Sequence, residues 1–239
     1  MKKKITAGLA LMLVLVLAGC SNLKLTTTKT TYKPSGMTAV VKGTASSSAD
    51  LTYQIGKKTS KVKNNHGDYV FTVPASNVQQ TVKVKAKSSG KTVTKKVQIK
   101  KVKPLGSYAM LTMKYSAILQ QMHLTAKALP ETVNPGIHDL IKTDSYTIRG
   151  NIQNGQLIGA TFIIPTKTLK QKSAQQEFGT AFSVFSSTVG ADGEKVFKEF
   201  SKQTKNQSSG QTTVKEITSN GVHYNIGFST TTLYMYITK

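Results

Sequence analysis

Gly67-Asp68-Tyr69-Val70-Phe71-Thr72-Val73-Pro74 sets a large apolar side chain at every second position, Tyr69, Phe71 and Val73, and closes on a residue without a ladder donor. Successive strand side chains point to opposite faces, so the stretch reads as one strand with a buried side. The same period recurs outward from it, at Leu51/Tyr53/Ile55 before and Val82/Val84/Ala86 after. A less regular set, Val93/Val97/Ile99, follows, with Lys95 in an in-phase position. Ser46-Ser47-Ser48-Ala49-Asp50, Asn64-Asn65-His66-Gly67-Asp68 and Ser88-Ser89-Gly90 punctuate these runs with turn-forming residues. Short alternating strands at this spacing predict an all-β sandwich over residues 37–103.

Lys100-Lys101-Val102-Lys103-Pro104-Leu105-Gly106 reads as a linker, after which the period changes. Tyr108, Leu111, Tyr115, Ile118, Met122, Ala126 and Leu129 recur every three or four residues, the stripe of a helix, with Ser107 as N-cap and Pro130 beyond the end. A loop containing Pro135-Gly136 is expected next. Then comes a hairpin, Tyr146 to Ile152 and Leu157 to Ile164, turning at Asn154-Gly155. A helix from about Ser173 to Val189 carries Phe178, Phe182 and Phe185 on one face. A third helix starts at Asp192, an N-cap. Strands at about 211–218, 222–228 and 232–238 complete the order α-β-β-α-α-β-β-β. Residues 104–239 are thus expected to form an α+β domain, an antiparallel sheet with helices on one face. The predicted organisation is two domains.

The 239 residues carry 33 Lys and Arg against 10 Asp and Glu, a formal charge of +23. Most of the excess lies early: residues 20–103 hold 17 Lys against Asp50 and Asp68, or +15, whereas residues 104–239 hold 12 Lys and Arg149 against eight acids, or +5. Lys83, Lys85 and Lys87 alternate with the apolar set of their strand and are assigned to its solvent side. Together with Lys95, Lys96, Lys100 and Lys101 they form the candidate contact for anionic wall polymer or lipid headgroups. With a single arginine and no reading motif, nucleic acid is not an expected partner. The lone cysteine excludes an internal disulfide and a multi-thiolate metal site.

That cysteine closes a leader. Met1-Lys2-Lys3-Lys4 is a cationic start, Ile5 to Ala18 is an apolar stretch of signal-peptide length, and Leu17-Ala18-Gly19-Cys20 follows before the chain turns polar at Ser21-Asn22. This arrangement resembles the bacterial lipobox. The resemblance implies a signal peptide over residues 1–19, diacylglycerol (the palmitate class of modification) on Cys20, and a lipid-anchored tether over residues 20–36. It also implies residence on the outer face of the cytoplasmic membrane of a Gram-positive-type cell. Residues 41–45, 67–74 and 81–86, taken in order, resemble the immunoglobulin-like modules of bacterial surface proteins, which serve as spacers or adhesive units.

Catalytic constellations are not evident. His66, His123, His138 and His223 share no metal-ligand spacing, and His138-Asp139 has no accompanying nucleophile motif, so no catalytic residue, metal or cofactor is assigned. Asp192-Gly193-Glu194 lacks the further oxygen ligands of a calcium loop. The phenylalanine stripe reads as core rather than as a ligand groove. In the last strand Leu233/Met235/Ile237 alternate with Tyr234/Tyr236, which makes the two tyrosines a candidate aromatic platform. The leading expectation is a binding or structural lipoprotein of the cell envelope. The alternatives are an envelope enzyme or accessory factor acting on wall polymers through the C-terminal domain, and an inhibitor or chaperone-like partner of another exported protein.

Overall fold

A computed structural model describes residues 22–205 and 215–239. The leader, the lipobox residues Leu17, Ala18 and Gly19, and Cys20 fall outside the described residues. The chain is mostly β, with three sheets and three α-helices among the described residues.

The first two sheets come from residues 24–99. Strands β1 (Thr31–Tyr32), β8 (Lys91–Ile99), β7 (Gln80–Ser88), β3 (Asp50–Ile55) and β4 (Lys58–Val62) lie side by side in that order. A second sheet holds β2 (Thr38–Thr44), β6 (Asp68–Pro74) and β5 (Asn64–Asn65). The expected alternation is realised: Val82, Val84 and Ala86 of β7 are fully buried, as are Val41 of β2 and Val73 of β6. Tyr53 of β3 stacks on Phe71 of β6 at 4.4 Å and 5°, joining the two sheets at the margin of their core.

The chain start serves both sheets. Thr26 and Thr28 donate backbone N–H groups to Thr44 and Lys42 of β2, at 2.7 and 2.9 Å. The chain then crosses over, and β1 runs parallel to β8 with Thr31 opposite Gln98. Tyr69 Oη donates to the Thr26 carbonyl at 2.6 Å, and burial pushes this phenol up to about 12. Gly43 permits that approach, since a Cβ there would collide with the Thr26 carbonyl and the Tyr69 hydroxyl.

The third sheet is antiparallel, in the order β10 (Gly136–Lys142), β11 (Thr147–Gln153), β12 (Gln156–Pro165), β15 (Thr232–Thr238), β14 (Val222–Phe228), β13 (Ile217–Ser219). The short β9 (Gly106–Ser107) pairs with the start of β12. Helices α1 (Tyr108–Gln121), α2 (Lys172–Thr188) and α3 (Gly193–Lys205) share one core with the inward side of this sheet. Phe162 of β12 is at its centre, edge-on to Phe178, Phe182 and Phe185 of α2 at 5.5–5.9 Å. The two hairpins turn where expected, with Asn154 and Asn220 at φ +53° and +50°, each followed by glycine at positive φ. Asp192 caps α3, its Oδ1 accepting from Lys195 N at 3.0 Å.

Four expectations are corrected. The tether expected over residues 20–36 is part of the fold from Lys24 on, where backbone bonds join the chain first to β2 and then, as β1, to β8. The expected loop around Pro135-Gly136 runs into β10, and the two-residue β9 precedes α1, so the order α-β-β-α-α-β-β-β lacks two strands. A register shift between Asp139 and Ile141 puts the neighbours Leu140 and Ile141 both in the core, which erases the period-two signal. Helix α1 ends at Gln121 rather than near Leu129, because His123 takes φ +50° and the chain turns away; Met122, expected in the buried stripe, is 60% exposed. Of the strand expected over 211–218, residues 211–214 lie outside the described residues, and the described strand is Ile217–Ser219. Lys95 leaves the lysine face: it pairs with buried Val84 and so has the core-side parity, but it stays exposed where β8 has β7 on one side only, since β1 reaches just Gln98 and Ile99.

Candidate functional site

The outward side of the five-stranded sheet is a lattice of lysine and threonine. Strand parity sends Lys83, Lys85 and Lys87 of β7 outward because Val82, Val84 and Ala86 must turn in. Cross-strand register then builds rows. Gln54, Lys83 and Lys96 are opposite one another across β3, β7 and β8. Lys61, Thr52, Lys85 and Thr94 form the next row across β4, β3, β7 and β8, and Asp50, Lys87 and Thr92 the one after. Five lysines therefore share the face with a single acid, Asp50. Lys85 is half-buried and the other four are exposed.

Strands lie about 4.8 Å apart and same-side residues about 6.8 Å apart along a strand, so ammonium groups recur at intervals suited to a chain of repeating anions. Lys83 directly opposite Lys96 is a like-charge pair, an arrangement that disfavours the bare sheet and is relieved by a bound anion. Lys100 and Lys101 follow β8 and are exposed, with the Lys100 N–H held by the Tyr32 carbonyl at 2.9 Å.

The two tyrosines of β15 stack at 6.1 Å and 10° on the side of the third sheet away from the helices. Both are half-buried. Gly36, from the turn before β2, lies against the Tyr236 ring, and Gly227 of β14 lies against its other edge. The N-terminal part of the chain thus lies over Tyr236. Tyr236 belongs to a row that crosses the sheet, Asp139, Arg149, Thr161, Tyr236 and Asn225. Arg149 Nε donates to Asp139 Oδ1 at 2.6 Å, and this bond holds the Asp139 carboxyl below its ordinary range. At the other end Glu216 accepts from His223 Nδ1 and Asn225 Nδ2, both at 2.8 Å, and the His223 bond leads in lowering its carboxyl. His138 is set apart: it pairs with Gly150 in β11, one residue and one face away from the Asp139–Arg149 pair, and its buried Nε2 has no hydrogen-bond partner among the described residues.

Sequence reasoning missed the seam between the sheets. Asn151 of β11 is fully buried and donates through Nδ2 to the carbonyls of Met37 and Ala75, at 3.1 and 2.8 Å. Asn154 Nδ2 adds a bond to Asn77 Oδ1 at 3.0 Å. The connection has little slack, since Val102 N donates to Ser76 O at 2.9 Å and Leu105 N to Leu157 O at 2.8 Å. The one trace in the sequence is Met37, a large apolar residue directly after Pro34-Ser35-Gly36; it reaches Gly159, where a side chain would crowd it.

A second concavity opens in the helical layer. A groove of about 560 Å³ runs over α2, floored by Gly179, Ser183 and Ser187 and walled by Ile118, Met122 and Phe197. The phenylalanine stripe lies on the opposite side of α2, in the core, as expected of Phe178, Phe182 and Phe185. Among the described residues no group of His, Cys, Asp and Glu could hold a metal ion, and no helix is long and apolar enough to cross a membrane. No protein-family model matches the sequence, and comparison with curated proteins gives no match.

Proposed function

We propose that the protein is a lipid-anchored envelope protein, held by diacylglycerol on Cys20 at the outer face of the cytoplasmic membrane, whose lysine face binds anionic wall polymer. The observation that carries the polymer reading is the Lys83–Lys96 pair within a five-lysine face that offers one carboxylate. In this reading residues 24–103 form an immunoglobulin-like domain. The strand order β1-β8-β7-β3-β4 facing β2-β6-β5, with a first segment shared between the sheets, supports that assignment. The α+β domain is carried on it. The anchor reading rests on the leader sequence, Leu17-Ala18-Gly19-Cys20 after a short apolar run.

Binding of purified poly(glycerol phosphate), measured against salt, tests the polymer reading. Exposed charge pairs are screened over about 8 Å at physiological ionic strength, so affinity is expected to fall steeply as salt rises. The joint replacement Lys83→Gln, Lys85→Gln, Lys96→Gln is expected to abolish most of it while leaving the fold intact. Unchanged affinity in that variant refutes the assignment of this face.

A further inference from the structure

Distance along the chain from Cys20 gives the first two sheets an orientation. Lys24 already belongs to the fold: its N–H donates to Ser46 Oγ at 3.0 Å and its carbonyl accepts from Ser46 N at 3.1 Å. Leu25, beside it, bridges Ala45 and is buried. Four residue steps separate Cys20 from Lys24. An extended chain covers at most about 3.6 Å per step, so the cysteine lies within about 14 Å of Lys24.

Lys24 marks one end of the paired sheets. The turns gathered there are 46–49 between β2 and β3, 63–67 before β6, and 88–91 between β7 and β8. The opposite end carries 33–37, the Gly56-Lys57 turn, 75–79 and the connection to β9. It is that far end whose Met37 and Ala75 carbonyls are held by Asn151. Anchor and C-terminal sheet therefore leave from opposite ends.

We infer that the paired sheets stand end-on upon the bilayer, with turns 46–49, 63–67 and 88–91 resting on anionic lipid headgroups and the C-terminal sheet held away from the membrane. The inference rests on the lipid-anchor reading above. Lys24, Lys63, Lys87 and Lys91 are exposed at this end, against Asp50 and Asp68, with His66 exposed among them. Val70, two residues beyond Asp68, is the one large hydrophobic exposed near this end among the described residues; Val40, Val78, Met110, Met113, Met122 and Phe228 fall elsewhere, so this end contacts headgroups through charge rather than through an apolar patch. The lysine face then stands roughly perpendicular to the membrane, open to polymer running alongside.

The test uses the full chain matured in a lipidating bacterial host and reconstituted in phosphatidylcholine/phosphatidylglycerol vesicles. Alkylation of Cys20 leaves one introduced thiol for a donor fluorophore, in Ser48→Cys, Thr94→Cys or Lys57→Cys, with acceptor on the headgroups. The expected order of distance is Ser48 shortest, then Thr94, then Lys57, the last farther than the first by about 25 Å from the rise of the strands between them. Replacing phosphatidylglycerol by neutral lipid is expected to lengthen the Ser48 distance; no change there removes headgroup charge from the inference. Equal distances, or a minimum at Thr94, overturn the end-on geometry while an intact mass carrying diacylglycerol keeps the anchor. An unmodified Cys20 in that mass overturns both.

Discussion

Replacing Asn151 by alanine should uncouple the C-terminal sheet from the first two. The amide donates two hydrogen bonds in a fully buried position, to Met37 O and Ala75 O. The two acceptors fare differently once it is gone. The Met37 carbonyl still receives the Ala75 N–H at 2.8 Å, whereas the Ala75 carbonyl loses its side-chain donor where the residue is fully buried. A typical bond contributes about 1 kcal/mol net, and a buried acceptor left facing no donor costs about 1–3 kcal/mol, so the loss is expected at about 2–4 kcal/mol. In a chain of this size that lowers Tm by about 4–16 °C. Calorimetry with urea titration measures it, and Asn77→Ala, which removes the acceptor of the exposed Asn154 bond and leaves the positive-φ turn residue in place, is the control, expected within about 1 kcal/mol of the parent. If Asn151→Ala is as mild as the control, the seam is not held by this side chain and the reasoning fails.

Gly43→Ala is expected to cost more than about 2 kcal/mol, because the new methyl meets the Thr26 carbonyl and the Tyr69 hydroxyl; urea midpoints check it, and a midpoint equal to the parent's would contradict that close approach. The pH dependence of stability has a definite sign at Asp139. Its folded carboxyl is depressed by Arg149, so its contribution is present above the ordinary carboxylate range and lost as pH falls through the folded value. In Tm measured from pH 7 downward, Asp139→Asn should show a shallower acid decline than the parent, and identical slopes would contradict the pairing.

The strands read most directly from the sequence were those with one buried side. Val82, Val84 and Ala86 sit in the core with Lys83, Lys85 and Lys87 turned outward, since a period of two has only one way to hide its apolar half. The hairpins at Asn154-Gly155 and Asn220-Gly221 were equally legible, because these pairs accept positive φ at low cost. Strand β10 was not, as its bulge places Leu140 and Ile141 both inward and reads like neither a strand nor a helix. The end of α1 was also hidden: no glycine or proline marks His123, and Leu129 keeps the helical spacing while packing from an irregular segment. Of the candidate site, Lys83, Lys85 and Lys87 followed from alternation alone; Lys61 did not, since its place in the row depends on β4 pairing with β3, and the exposure of Lys95 depends on where β1 stops. The seam at Asn151 depends on contacts between residues 114 positions apart and left almost no local signature.

The parallel run of β1 beside β8 matters most under load. If the start of the chain is fixed and the C-terminal sheet is dragged by whatever it grips, the two neighbouring segments are pulled in opposite senses along their own axes. The Thr30 and Tyr32 carbonyls, which accept from Gln98 N and Lys100 N, then resist together in shear instead of peeling one after another. Such geometry yields all at once rather than bond by bond.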